Sequence, residues 1–573
     1  MELFLRHGEL GIMASRYGNL VVEEIEGVLR IGNGRVRAQF GKRDGGYVQE
    51  FSAIDNKGRA RLVLSSLHKN MIPYSEHRDC SSPMMAGDRP HLFGMSRESL
   101  RMVYSTVALE RRDEGAVTAV LSGTLRGHHL TCRVTVEEGS SSVHVEVNDE
   151  IRRGNRGPVV EYLMSSYAFI PDGALLDIGQ APGYTWAPCL RPECDHVIGD
   201  QAFHSPAVIA QLGSLWAALI PDLEVLRENR PMPTILDLDI DNGLLPAPLL
   251  SYGFCGYERD PGGSFFVHDM AMATRLDTHS LRYGFDLVLN AEGRTASAPR
   301  QVAEFLWRAY GAKGLASSER RSLTRTAPRS RRREAMSRYA EEGHGFSLPA
   351  CTTEVSIRAT HDPHTTAGPY DARAALWAAR AMLGLYRSTG KQSCLRQGIN
   401  ALDELCLLQS VWDKPWTRVR EFGLLADGNV EARLDPALSA EFAETAMEYG
   451  ALTGAREYSE RASAALAAAI AAPGTDDTSR ARIAAAEAAI RSAYGVAFLH
   501  VGRKWSVSLD GARVQSFTVG RGGVSLEVLA SGSKRGRLVF GGVRGAGCKV
   551  AINGRQAFHP REAMESGIRI PDG

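Results

Sequence analysis

Between residues 413 and 435 the acids Asp413, Glu421, Asp427, Glu431 and Asp435 crowd together with Arg418, Arg420, Asn429 and Trp416. Cleavage of a glycosidic bond by water takes two carboxyl groups beside the sugar. One gives a proton; the other activates water or attacks. Glu431, Asp427 and Glu421 are the candidates for these roles. Asp435 stands before Pro436, which suits the N-cap of a following helix. Trp412 and Trp416 flank the acids. An indole ring is a broad apolar surface with one polar edge, so both are candidates for stacking on a pyranose.

A second cluster lies in the stretch THDPHTTAGPYD, which holds His361, His364 and Tyr370. His361 joins the catalytic candidates; His364 and Tyr370 join the substrate contacts, with Trp416, Trp412, Asn429 and Arg418. This set also permits a different chemistry, β-elimination from a uronate. That reaction needs a His or Tyr base, with Asn or Arg to neutralise the carboxylate and the enolate-like intermediate. His361, His364 and Asp362 together suggest a metal, but Pro363 between the histidines opposes a shared helical face. Cys189, Cys194, His196 and His204 do not follow a standard zinc spacing and read as loop. No phosphate-binding or dinucleotide fingerprint is present. No cofactor and no metal are expected.

These residues need a frame. From residue 18 to about 300, apolar and polar residues alternate, as in Leu29, Ile31, Val36, Ala38 and Phe40, or Val143, Val145 and Val147. Period two marks half-buried strands, and many strands without intervening helices predict a large antiparallel sandwich. Asn33-Gly34 is a type I′ turn signal. Residues 68–95 and 181–206 break the pattern and read as long loops. QVAEFLWRAY, 301–310, predicts a helix leaving the sandwich. The arginine-rich run at 316–334 predicts a solvated linker.

From residue 371 to about 493 the period becomes 3.6, as in Leu395, Ile399, Leu402 and Cys406. Thr389-Gly390 and Thr453-Gly454 each separate two helices, and glycine at that place supplies a left-handed C′ residue. The unit therefore repeats, and repeated hairpins stack to bury their faces. Connections entering equivalent helices, at Asp371 and at Ala437, should then emerge on one rim. From Trp505 the pattern returns to strands.

The chain has 573 residues, 44% hydrophobic and 23% charged, with a formal net charge of +1. The charge balance argues against a nucleic-acid partner, which needs a basic surface. The nine cysteines are irregularly spaced and do not outline a disulfide framework. No apolar run is long enough for a membrane span, and the N-terminal residues lack the apolar core of a signal peptide. A cytoplasmic protein is expected, or an exported one if a leader precedes this sequence.

A large β-sandwich, a linker helix and repeated helical hairpins, with Phe422–Tyr458 running through Gly, Asn and acidic residues into a TG…Y turn, resemble a group of carbohydrate-active enzymes. These join a β-supersandwich to an (α/α) toroid, and glucoamylase-like glycosidases and several polysaccharide lyases belong to it. The resemblance implies a multidomain α+β chain. Residues 1–300 would form the supersandwich, 301–370 the linker, 371–495 a partial toroid of helical hairpins and 496–573 a small β-domain. It implies a glycoside hydrolase acting on a poly- or oligosaccharide. A uronate lyase and a non-catalytic glycan-binding protein are the alternatives.

Overall fold

The computed structural model describes residues 13–17, 19–43, 46–66, 104–113, 115–125, 128–151, 162–173, 183–187, 198–199, 204–228, 234–239, 247–255, 280–291, 297–312, 370–414, 420–429, 433–493 and, from 497 on, the strands of the C-terminal segment. The chain is multidomain α+β and divides into two compact units. The first takes Met1–Val302 with the excursions Arg358–Tyr370 and Gly428–Ala432. The second takes Ala303–Ile357, Asp371–Asp427 and Arg433–Gly573. The arginine-rich run 316–334 and the loop 68–95 lie outside the described residues.

Two antiparallel sheets, of ten and eight strands, build the first unit. Alternation decides which face is buried. In the strand Ser142–Ile151, Val143, Val145 and Val147 are fully buried, while His144, Glu146 and Asn148 point the other way. Val145 pairs with Phe285 on one side and Val134 on the other. Aromatic rings fill the space between the sheets. Tyr167 meets Phe51 edge-on at 5.4 Å and Phe285 at 5.9 Å, and Tyr252 meets Tyr283 at 6.0 Å. Their hydroxyls are answered inside the core: Tyr167 donates to Gln49 Oε1 at 3.1 Å, and Tyr283 shares a 2.9 Å bond with Ser165. Burial pushes the Cys132 thiol up to about 12, so it serves as a small core side chain.

The expected hairpin turn at Asn33-Gly34 is present: it joins the strands Val28–Gly32 and Val36–Arg43, and the Asn33 N–H donates to the Val36 carbonyl at 2.9 Å. It is not type I′, since the left-handed pair is Glu26 and Gly27, at φ 52° and 76°, one hairpin earlier. Asn33 also acts through its side chain. Its Oδ1 accepts the N–H groups of Arg35 and Val36, and its Nδ2 donates to the carbonyls of Glu137 and Ser140 in the other sheet. The Asn that makes the turn also staples two sheets.

On the outer face of the eight-stranded sheet, His144 sits among carboxylates. Its Nδ1 lies 3.3 Å from Asp286 and its Nε2 4.0 Å from Asp222, while Glu146 beside it is bonded to Arg282 at 2.7 Å. Burial works to lower the imidazole pKa, but bonding to Asp286 and the charges of Asp286, Asp222 and Glu146 raise it above the ordinary value. The raised pKa means that protonated His144 stabilises the fold. That contribution is full below the unfolded pKa, about 6.5, and is lost as pH rises through the higher folded value. The melting-temperature gap between the native chain and a His144→Gln variant should therefore narrow as pH rises above about 6.5. A gap that stays constant or widens with pH would show that the ion pair contributes nothing.

The second unit carries most of the helices. Helix α1, Leu223–Glu228, belongs to the first unit and is short. Helix α2, Ala298–Leu306, continues into a π-helical turn at Trp307–Gly311. Gly311 is required there, since a Cβ would stand 2.3 Å from the Trp307 ring. Then come α3 (Ala372–Thr389), α4 (Gln392–Leu408), α5 (Pro436–Thr453), α6 (Arg456–Ala471) and α7 (Asp477–Ala493). Gly390 and Gly454 end α3 and α5 at φ 69° and 72°. They are the left-handed residues that the repeated Thr-Gly pairs predict. Strands follow from Ala497, with a four-stranded sheet and the hairpin Ala512–Gly520 to Gly523–Ala530. These C-terminal strands fall in the same compact unit as the helices. No described helix is long and apolar enough to cross a membrane.

Arg461 of α6 is fully buried. Its guanidinium bonds Glu457 at 2.7 Å, Gln409 Oε1 at 3.1 Å and the Cys406 carbonyl at 3.3 Å, and it also donates to the Ala303 carbonyl. It lies 4.7 Å from the centre of the Trp307 ring, which stacks on Phe422 from its own neighbourhood at 6.0 Å. One side chain thus ties α4, α6 and the end of α2 together.

Candidate functional site

The candidate site grows from two helix N-termini. Asp371 caps α3 by accepting the N–H groups of Arg373 and Ala374 at 2.7 and 3.1 Å. Asp435 caps α5 in the same way, accepting from Ala437 and Leu438 at 2.9 and 3.0 Å, with Pro436 at the first helical position. Arg373 of α3 is paired with Asp435. Further along, Arg380 reaches Glu441 and Glu444, and Arg387 reaches Glu448. The three arginines stand about two turns apart on α3, so they form one row facing the acids of α5.

The start of α3 lies beside the passage that enters α5. The Ala372 N–H donates to the Asp427 carbonyl at 2.9 Å. Asp427 is also pinched to Arg433: its N–H donates to the Arg433 carbonyl at 2.8 Å, and its Oδ1 accepts the Arg433 N–H at 3.0 Å. Leu425 and Ala426 pair with Asp435 and Leu434 in a minimal antiparallel ladder. The Asp427 carboxyl is half-buried. Burial raises its pKa above the ordinary carboxylate range, the Arg433 N–H and charge oppose this, and the nearby Asp435 charge adds to it. A carboxyl that holds its proton more readily than usual is what a general acid requires.

Several residues that the sequence offers as ligand contacts have other duties. Tyr370 is 4% exposed; its hydroxyl donates to the Thr185 carbonyl at 2.6 Å and its ring packs on Trp186 at 4.7 Å. Asn429 is fully buried. Its Oδ1 accepts the Tyr370 N–H at 2.6 Å and its Nδ2 donates to the Ala187 carbonyl at 3.0 Å. Both residues stitch the excursions of the first unit onto its own strand region. Trp412 is 2% exposed, so its ring has no face open to a sugar. In the structure each of these polar or aromatic groups is engaged within the fold.

Glu421, a catalytic candidate in the sequence, is held in a buried ion pair. It is 8% exposed and its carboxylate lies 3.1 Å from the ammonium of Lys414, itself 3% exposed. A buried carboxylate is tolerated when an opposite charge answers it. Asp413 closes the same loop by accepting the N–H groups of Glu421 and Phe422, both at 2.8 Å. Gly423 follows at φ 93°, where a Cβ would stand 2.6 Å from the Ala464 carbonyl oxygen. Sequence reasoning passes over Lys414 and Arg433. The only signal was that a loop so rich in acids needs cations near it.

Glu431, His361, His364, Trp416 and Arg418 lie outside the described residues, as do Cys189, Cys194 and His196. His204 is buried at 8% exposure. Among the described residues, no group of three or more His, Cys, Asp or Glu side chains is placed to hold a metal.

No protein-family description matches the chain, and no curated protein is similar to it in sequence. Solved structures similar in part include a family GH36 α-galactosidase from Geobacillus stearothermophilus. It is 9% identical with a TM-score of 0.28, covering 95% of this chain and 98% of that one. The α-galactosidase from Lactobacillus brevis gives 9% and 0.28 over 95% of each chain. A TPR-domain protein from Parabacteroides distasonis gives 10% and 0.25, over 78% of this chain and 80% of that one. At such scores these likenesses carry no weight for function.

Proposed function

We propose that the chain is a carbohydrate-active enzyme that hydrolyses a glycosidic bond in an oligo- or polysaccharide, with Asp427 as the proton donor and Glu431 as its carboxylate partner. The observation that carries this reading is the state of Asp427. It sits where the passage into α5 touches the start of α3, half-buried, with a raised affinity for its proton. Hydrolysis needs one carboxyl that donates a proton and a second that is ionised. The lyase reading is weaker, because Tyr370 and Asn429, two of its working groups, are enclosed and hydrogen-bonded to main chain.

Incubation with a panel of neutral and uronate-containing oligosaccharides tests this directly. Hydrolysis releases reducing ends without new absorbance. Near-ultraviolet absorbance in the product would mean elimination and would overturn the hydrolase assignment. Binding of a saccharide with no turnover of any panel member would leave a glycan-binding protein.

A further inference from the structure

A glycine in the middle of the ten-stranded sheet has no structural reason to be there. Gly41 lies inside the strand Val36–Arg43, between Val28 on one neighbouring strand and Val48 on the other. Its φ is not in the left-handed region, and a Cβ would meet nothing nearer than Val28 Cγ2 at 3.7 Å, an ordinary contact. A strand-interior glycine weakens a strand and often marks a place where something else approaches the backbone. Here the missing side chain opens a cleft of about 330 Å³, lined by Glu26, Val28, Gln39, Arg43, Tyr47 and Glu50 among others.

The wall of this cleft is a fixed hydrogen-bond chain across three strands. Arg30 Nε donates to Gln39 Oε1 at 2.7 Å, Gln39 Nε2 donates to Glu50 Oε2 at 2.9 Å, and Arg43 donates to Glu50 Oε1 at 2.7 Å. Planar amide, carboxylate and guanidinium groups held in one geometry suit vicinal hydroxyls. Val28 and the bare backbone of Gly41 give a small apolar floor, with Val48 beneath. The charges of Glu26 and Glu50 are balanced by Lys42 and Arg43, which favours a neutral ligand over an anionic one. Ligand sites of this kind are concave, with an apolar base and a few fixed polar groups.

We infer that the Gly41 cleft is a saccharide-binding subsite, separate from the loop that carries Asp427, which seats one ring of a neutral glycan on Val28 and Gly41 and bonds its hydroxyls to Gln39, Glu50 and Arg43. The ligand class rests in part on the carbohydrate reading above; the cleft itself does not. Substitution Gly41→Val fills the hollow with a side chain that strands favour. The test measures calorimetric binding of a panel of neutral oligosaccharides to the full chain bearing Asp427→Asn, with and without Gly41→Val. The expected result is binding by the first that weakens at least about tenfold in the second. Circular dichroism checks the fold, and Glu50→Ala provides a second route to the same loss should Gly41→Val misfold. Binding that neither substitution alters overturns the cleft alone, as does a chain that binds none of the panel. Cleft-dependent binding in a native chain that hydrolyses none of the panel would leave the cleft standing and remove the catalytic reading.

Discussion

The variant Asp427→Asn should turn over a natural glycoside at least about a hundredfold more slowly than the native chain while folding normally. General acid catalysis is typically worth about 10²–10⁴ in rate. The amide keeps an oxygen for the Arg433 N–H, so the pinch that shapes the loop survives. What it loses is the proton. Two further readings separate a proton donor from a merely structural residue. A glycoside with an activated aryl leaving group departs without protonation, so the variant should retain most of its rate on that substrate. The native pH profile should also fall as pH rises through the raised pKa of Asp427, because the acid works only while protonated. Native turnover on the natural glycoside, or equal losses on both substrates, would remove Asp427 from the chemistry.

Arg461→Met should cost the second unit about 3–5 kcal/mol, the usual result of removing one partner of a buried pair. Methionine preserves much of the stem but leaves the Glu457 carboxylate, 2.7 Å from the lost guanidinium, without its charge partner. The Gln409 oxygen and the carbonyls of Ala303 and Cys406 lose a donor as well. Denaturant unfolding followed by helical circular dichroism measures the loss. Adding Glu457→Gln should restore part of it, since the stranded charge is then gone. A single variant that unfolds at the native denaturant concentration would mean that the arginine network is energetically idle.

The parts of the chain legible in advance are those written in nearest-neighbour chemistry. Alternating valines at 143, 145 and 147 declare a strand; Asp435-Pro436 declares a helix start; Thr-Gly at 389–390 and 453–454 declares paired helix ends. What misleads is what depends on distant partners. Tyr370 and Asn429 look like ligand contacts because they are polar and stand on a loop, yet their partners are main-chain groups at Thr185 and Ala187. Asn33 is the turn residue it looks like, and it also bonds residues more than a hundred positions away, which nothing local announces. Periodicity carries no information about such pairings, so buried polar residues on loops read as available when they are spent. Glu421 follows the same logic, since nothing in its local sequence announces Lys414 as its ion-pair partner.

The repeated hairpins differ where they are joined. The chain passes from α6 to α7 between Ala471 and Asp477, but from α4 to α5 it runs from Leu408 to Pro436. The row of arginines from α3 to the acids of α5 spans helix to helix without help from that longer passage. Such a design separates chassis from cargo. Yet the two ends of that passage are part of the frame: Gln409 bonds Arg461 of α6 and Leu425 bonds Ser439 of α5, so tolerance of insertion is confined to the stretch between them. The short joint after α6, between Ala471 and Asp477, is the other position at which a loop can be grafted.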